Sequence, residues 1–90
     1  MTEQDKARRA FEALKSAEGA EPRAALAILY GLIELVRSES GDQSIEVDEA
    51  RASAFLAICE VGKALHRGQP ASPPWESAVA ATERWLALAR

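Results

Sequence analysis

An all-α fold, a compact four-helix domain with short connections, is what this 90-residue sequence predicts. Three observations predict it. Apolar residues recur at helical spacing in four successive segments; proline, glycine and polar clusters separate those segments; and no segment alternates in the way a half-buried strand does. The expected helices span about 2–18, 22–39, 44–67 and 73–89 of one domain covering 1–90. Connections this short make consecutive helices neighbours in an up-and-down arrangement.

The first helix begins on Thr2-Glu3-Gln4-Asp5. The Thr2 hydroxyl can cap its start, and early acids suit the positive end of the helix dipole. Its apolar stripe, Ala7, Ala10, Phe11, Leu14 and Ala17, is mostly alanine and brings little area to a core. Lys6, Arg9, Glu12 and Lys15 are assigned to the opposite face, and Gly19 is a natural left-handed stop. Ala7, Phe11 and Leu14 also resemble a tetratricopeptide helix, but no second copy follows.

Pro22 fits the first turn of the second helix, which holds the longest apolar run of the chain, Ala24 to Val36. At about 100° per residue its apolar side chains cover an arc of roughly 220°, where a surface helix needs about 100° or somewhat more. Such a helix sits mid-bundle, or covers one side with its own chain and offers the other to a partner. The first helix brings thin cover, so the open side is expected at Leu26, Tyr30 and Ile33. A close helix crossing would account for Gly31, which costs about 1 kcal/mol against alanine.

A polar loop from Ser38 to Ser44 leads to the third helix, which is acidic at its start (Glu46, Asp48, Glu49) and basic at its end (Lys63, His66, Arg67). That polarity complements the dipole at both ends. Val47, Ala54, Phe55, Ile58, Val61, Gly62 and Leu65 form its core face, and Leu56 falls among the polar residues. After the stiff Gln69–Pro74 connector, the fourth helix carries a stripe of roughly 120° comprising Trp75, Ala78, Val79, Thr82, Trp85, Leu86 and Ala89, with Leu88 outside it.

Composition limits function. A net charge of −3 and a pI near 5.1 disfavour general binding to nucleic acid or anionic membranes. A single cysteine, Cys59, excludes an intramolecular disulfide and a cysteine-based zinc site. MTEQDKARRA has no apolar core of a signal peptide, and the longest apolar run falls short of the ~20 residues of a span. A cytoplasmic protein is expected. Abundant alanine and eight arginines to three lysines fit a GC-rich bacterial genome.

Catalytic chemistry finds little support. His66, the only histidine, sits at a helix end, where its charge is simply stabilising. Cys59 lies seven residues earlier, ~10 Å away along the axis, too far for a dyad within one helix. It reads as a buried, inert thiol, and Glu34 as a solvated carboxylate. The acidic stretch Glu39, Asp42, Glu46, Asp48 and Glu49 lacks the alternating ligands and internal glycine of a calcium loop. It reads as a dipole-matched helix start or as a dock for a basic partner. No cofactor, metal or enzymatic activity is expected.

Gly41-Asp42-Gln43-Ser44-Ile45 partly resembles the attachment site of acyl carrier proteins, a glycine, any residue, then Asp-Ser-Leu at a helix start. The resemblance covers five residues and implies an acyl-carrier-like role with Ser44 as the modified residue. Gln43 replaces the aspartate, and Asp48 and Arg51 stand where that helix is usually apolar. A DNA-associated transcriptional regulator is the other alternative, resting on Lys6, Arg8, Arg9 and Lys15 and on the basic end of the third helix.

The reading adopted is a small protein–protein interaction module, a bacterial regulator, inhibitor or adaptor. It acts as a homodimer or on a larger protein. Its motivation is surplus apolar surface, and the candidate contact residues are Leu26, Tyr30, Ile33, Leu56, Trp75 and Trp85. For the two tryptophans the core reading is preferred to the interface reading.

Overall fold

The computed structural model describes residues 2–38 and 43–90. They form four α-helices, α1 (Glu3–Ala17), α2 (Pro22–Arg37), α3 (Ile45–His66) and α4 (Ser72–Leu88), with no strand among the described residues. The helix ends fall within two residues of those expected, and the anticipated extension of α2 to Glu39 lies outside the described residues.

Local chemistry sets these boundaries. The Thr2 hydroxyl accepts from the Asp5 N–H at 3.1 Å while the Asp5 carboxylate accepts from the Thr2 N–H at 3.3 Å, a reciprocal capping box. Gly19 ends the turn after α1 at φ 82°, which a side chain would resist. Pro22 opens α2, whose entry residue Glu21 makes no side-chain cap. Ser44 caps α3 by accepting from the Val47 N–H at 3.2 Å, and Gly68, at φ 65°, turns the chain out of it.

Contacts run α1–α2, α2–α3, α3–α4 and α4–α1, a square ring in chain order. Cross-helix bonds fix the directions. Trp75, at the start of α4, reaches Leu14 near the end of α1, and Trp85, at the end of α4, reaches Glu3 at the start of α1. Lys6 near the start of α1 reaches Ser38 just after α2. Neighbours are therefore antiparallel, as short connections demand. The body measures 38 × 20 × 17 Å, and its long axis matches the ~33 Å of a 22-residue helix.

The core is built on Leu14, Leu29, Ile58, Val61, Thr82 and Trp85, all fully buried. The alanine face of α1 leaves room for the two indoles of α4. Each indole also satisfies a polar requirement. Trp75 Nε1 donates at 2.9 Å to the Leu14 carbonyl, in the last turn of α1 where carbonyls lack helical partners. Trp85 Nε1 donates at 3.0 Å to the Glu3 carboxylate.

Two sequence expectations are corrected here. Lys6 does not lie on the solvent face of α1; it is buried, and its ammonium bonds the Ser38 carbonyl. Lys6 precedes Ala10 by four residues, so the two share a face. Placing a cation on the C-terminal carbonyl of α2 complements its dipole. Nor does Gly31 mark a close crossing. A Cβ built there meets nothing within 4 Å.

Candidate functional site

Among the described residues the exposed large apolar side chains are Tyr30, Ile45 and Leu56, at 55%, 76% and 64% of their surface. All three belong to α2 and α3. The opposite half, α1 and α4, turns Arg8, Glu12, Glu76 and Glu83 to solvent.

On α2, Ala25, Leu29, Leu32 and Val36 are buried, Leu26, Ile28, Ile33 and Leu35 are half-buried, and Tyr30 stands out. Helical spacing puts Leu26 and Ile33 on the same flank as Tyr30. That flank faces α3. The Tyr30 hydroxyl lies 2.9 Å from His66 Nε2, with ring centroids 6.4 Å apart. The open side of the long apolar run is therefore bordered by α3, and not by α1 as the sequence suggested. The thin cover from α1 is present too, since its contact with α2 is the least extensive in the ring. Toward the other end of this flank, Val36 and Arg37 face Arg51, Ala52 and Phe55 across a groove of about 310 Å³.

On α3, Leu56 extends from the helix with Ala52 four residues before it and half-buried Cys59 three after, so the three share a strip. Leu26, Tyr30, Ile33 and Leu56 thus all belong to the α2–α3 half. Trp75 and Trp85 do not join them. They are 6% and 0% exposed, and both indole N–H groups are bonded inside the bundle, so they are core residues and not contact anchors. Ile45 is not among the contact residues expected from the sequence. Its angular position, eleven residues before Leu56, was the available signal. Leu88, set outside the α4 stripe, is half-buried against the core.

One end of the bundle holds a polar cluster that sequence reasoning also missed. Glu3, 4% exposed, accepts from Trp85 and lies 3.8 Å from Arg51 Nε, whose terminal nitrogen bonds Asp48 at 2.9 Å. These contacts tie α1, α3 and α4 together. They fill the roles of structural hydrogen bonds, each side chain being engaged by its own fold.

Ionisable groups elsewhere are spread along the surface. A groove between α3 and α4 is bordered by Glu46, Glu49 and Arg84, all exposed. Glu34 pairs with Arg37 at 3.8 Å and Lys63 with Glu60 at 3.1 Å. Asp5 is held below the usual carboxylate range, first by its hydrogen bond with the Thr2 side chain, then by the Thr2 N–H and the Arg8 guanidinium. No three His, Cys, Asp or Glu side chains converge among the described residues. Ser44, the residue of the carrier-like resemblance, is exposed and its hydroxyl caps α3, while Gly41 and Asp42 of that motif lie outside the described residues, as does Glu39 of the acidic stretch. No described helix is long and apolar enough to cross a membrane.

No protein-family model, curated protein or solved structure matches this chain.

Proposed function

We propose that this chain is a non-enzymatic interaction module of the cytoplasm, a bacterial regulator, inhibitor or adaptor that works through the α2–α3 face. The observation that supports this is the segregation of exposed apolar side chains. Tyr30, Ile45 and Leu56 all stand on α2 and α3, whereas α1 and α4 expose no large apolar side chain. A contact surface gains from apolar area and aromatic anchors, and Tyr30 supplies a rigid ring with a hydroxyl at its edge.

The DNA-associated alternative loses ground to two contacts. Lys6 is buried and Lys63 is paired with Glu60, which takes two of the basic groups of that reading out of a free stripe.

Photo-crosslinking in the native cell tests the reading. A benzoylphenylalanine at position 56 should capture a protein partner, whether another copy or a larger chain, and one at position 83 on α4 should not. Equal capture at both positions, or none at position 56, refutes an α2–α3 interface.

A further inference from the structure

The outward face of α3 has a pattern that specifies one occupant. At about 100° per residue, Ile45, Glu49, Ala52, Leu56, Glu60, Lys63 and Arg67 fall within an arc of about 80° directed away from the buried face. All seven are exposed. Their spacings read 4, 3, 4, 4, 3, 4, which is symmetric about Leu56. Leu56 is also the twelfth residue of this 22-residue helix, at its midpoint.

We infer that the partner of this face is a second copy of the chain, docked so that the two α3 helices run antiparallel across a two-fold axis at Leu56. This rests on the protein-contact reading above and specifies its partner and register. A two-fold axis there sets each residue opposite the one equally far on the other side of Leu56. Leu56 meets Leu56. Glu49 meets Lys63 of the second copy, and the axis makes that pair twice.

Charge complementarity favours this arrangement over a parallel one. The first turns of α3 carry Glu46 and Asp48, and its last turn Lys63 and His66. A parallel pair would set acid on acid and base on base. The antiparallel pair sets each acidic start, at a positive dipole end, against the basic finish of the other helix. Lys63 already bonds Glu60 of its own helix at 3.1 Å, so its ammonium is held on this face and can bridge to Glu49 of the second copy. Leu56, 64% exposed in the single chain, becomes covered at the centre, where apolar contacts are best shielded from water. Contact along one helix face lies at the small end of specific interfaces, below about 1,200 Å², which corresponds to a weak, reversible dimer.

Two measurements on the full chain test the register. Sedimentation equilibrium of Glu49→Lys should show dimerisation weakened about tenfold relative to the parent chain, and Glu49→Lys with Lys63→Glu should restore it, since the double swap rebuilds both pairs in reverse. In a Cys59→Ser background, Leu56→Cys should form an interchain disulfide under mild oxidation, whereas Ile45→Cys, far from the axis, should not. Far-UV circular dichroism confirms that each variant is folded. A parent chain that stays monomeric up to millimolar concentration overturns the inference, and capture of a different protein from position 56 would then keep the broader reading standing. A dimer that ignores the charge swap and crosslinks no better at 56 than at 45 overturns this register.

Discussion

The contact between Trp85 and Glu3 joins the end of α4 to the start of α1, and its removal has a calculable effect. An indole buries roughly 200 Å², which at about 25 cal/mol per Å² amounts to about 5 kcal/mol. A domain of this size has a total stability of roughly 5–13 kcal/mol, so Trp85→Ala should remove between about two-fifths and nearly all of it. Trp85→Phe is the informative change. It keeps the six-membered ring, forfeits about 1 kcal/mol of apolar burial, and deletes a hydrogen bond to a carboxylate of about 1.5–3 kcal/mol. The expected loss is about 3 kcal/mol. Glu3→Gln separates the components, because the amide oxygen still accepts from the indole while the ion pair to Arg51 is lost. That pair is 3.8 Å long and its guanidinium is a quarter exposed, so the substitution should cost about 1 kcal/mol or less. With Phe at position 85 the Glu3 carboxylate has lost its indole donor, so Glu3→Gln should cost less there than in the parent chain. The double variant should therefore fall short of additivity by about 1 kcal/mol. Urea unfolding followed by far-UV circular dichroism, with equal m values across the four proteins, measures the cycle. Effects that add to within about 0.4 kcal/mol would show that the charge on Glu3 contributes nothing to its bond with Trp85.

Other expectations come from single sites. Gly31→Ala should stabilise the fold by up to about 1 kcal/mol in the same unfolding assay, because the added methyl meets open space and a helix-interior glycine is costly; destabilisation would mean that another group occupies that position. Trp75→Phe should cost about 2 kcal/mol, from its hydrogen bond to the Leu14 carbonyl and lost area, seen as a melting temperature lowered by about 10 °C. The Asp5 carboxyl is depressed in the folded chain, so its contribution is present above the unfolded aspartate value of about 3.9 and is lost as pH falls through the lower folded value. Thr2→Ala should return the Asp5 titration toward the ordinary value in a carbon-detected NMR titration, and an unmoved midpoint would rule out the capping box as its cause.

Helix number, order and approximate ends were legible because they depend on local chemistry. Thr2, Pro22, Ser44 and the residues around Gly19 and Gly68 act within a turn of where they stand. The stripe of α4 was equally readable, since Trp75, Ala78, Thr82 and Trp85 repeat at helical spacing and are the residues buried. Leu56 was legible as an outlier, because one large apolar side chain on a polar face stays exposed whatever packs behind it.

What needed the tertiary structure were the questions of which neighbour meets which flank. The arc of α2 announced surplus apolar surface, but the angle at which α3 approaches decided that Tyr30 meets His66 and not α1. The same holds for charge. Residues drawn as solvent-facing or as dipole partners, Lys6 and Glu3, are buried because the Ser38 carbonyl, the Trp85 indole and the Arg51 guanidinium arrive from other helices to bond them. A sequence fixes the period of a helix and the chemistry of its ends within a few residues. The rotation of one helix against the next is settled by long-range contacts, and that rotation separates the buried Trp85 from the exposed Leu56.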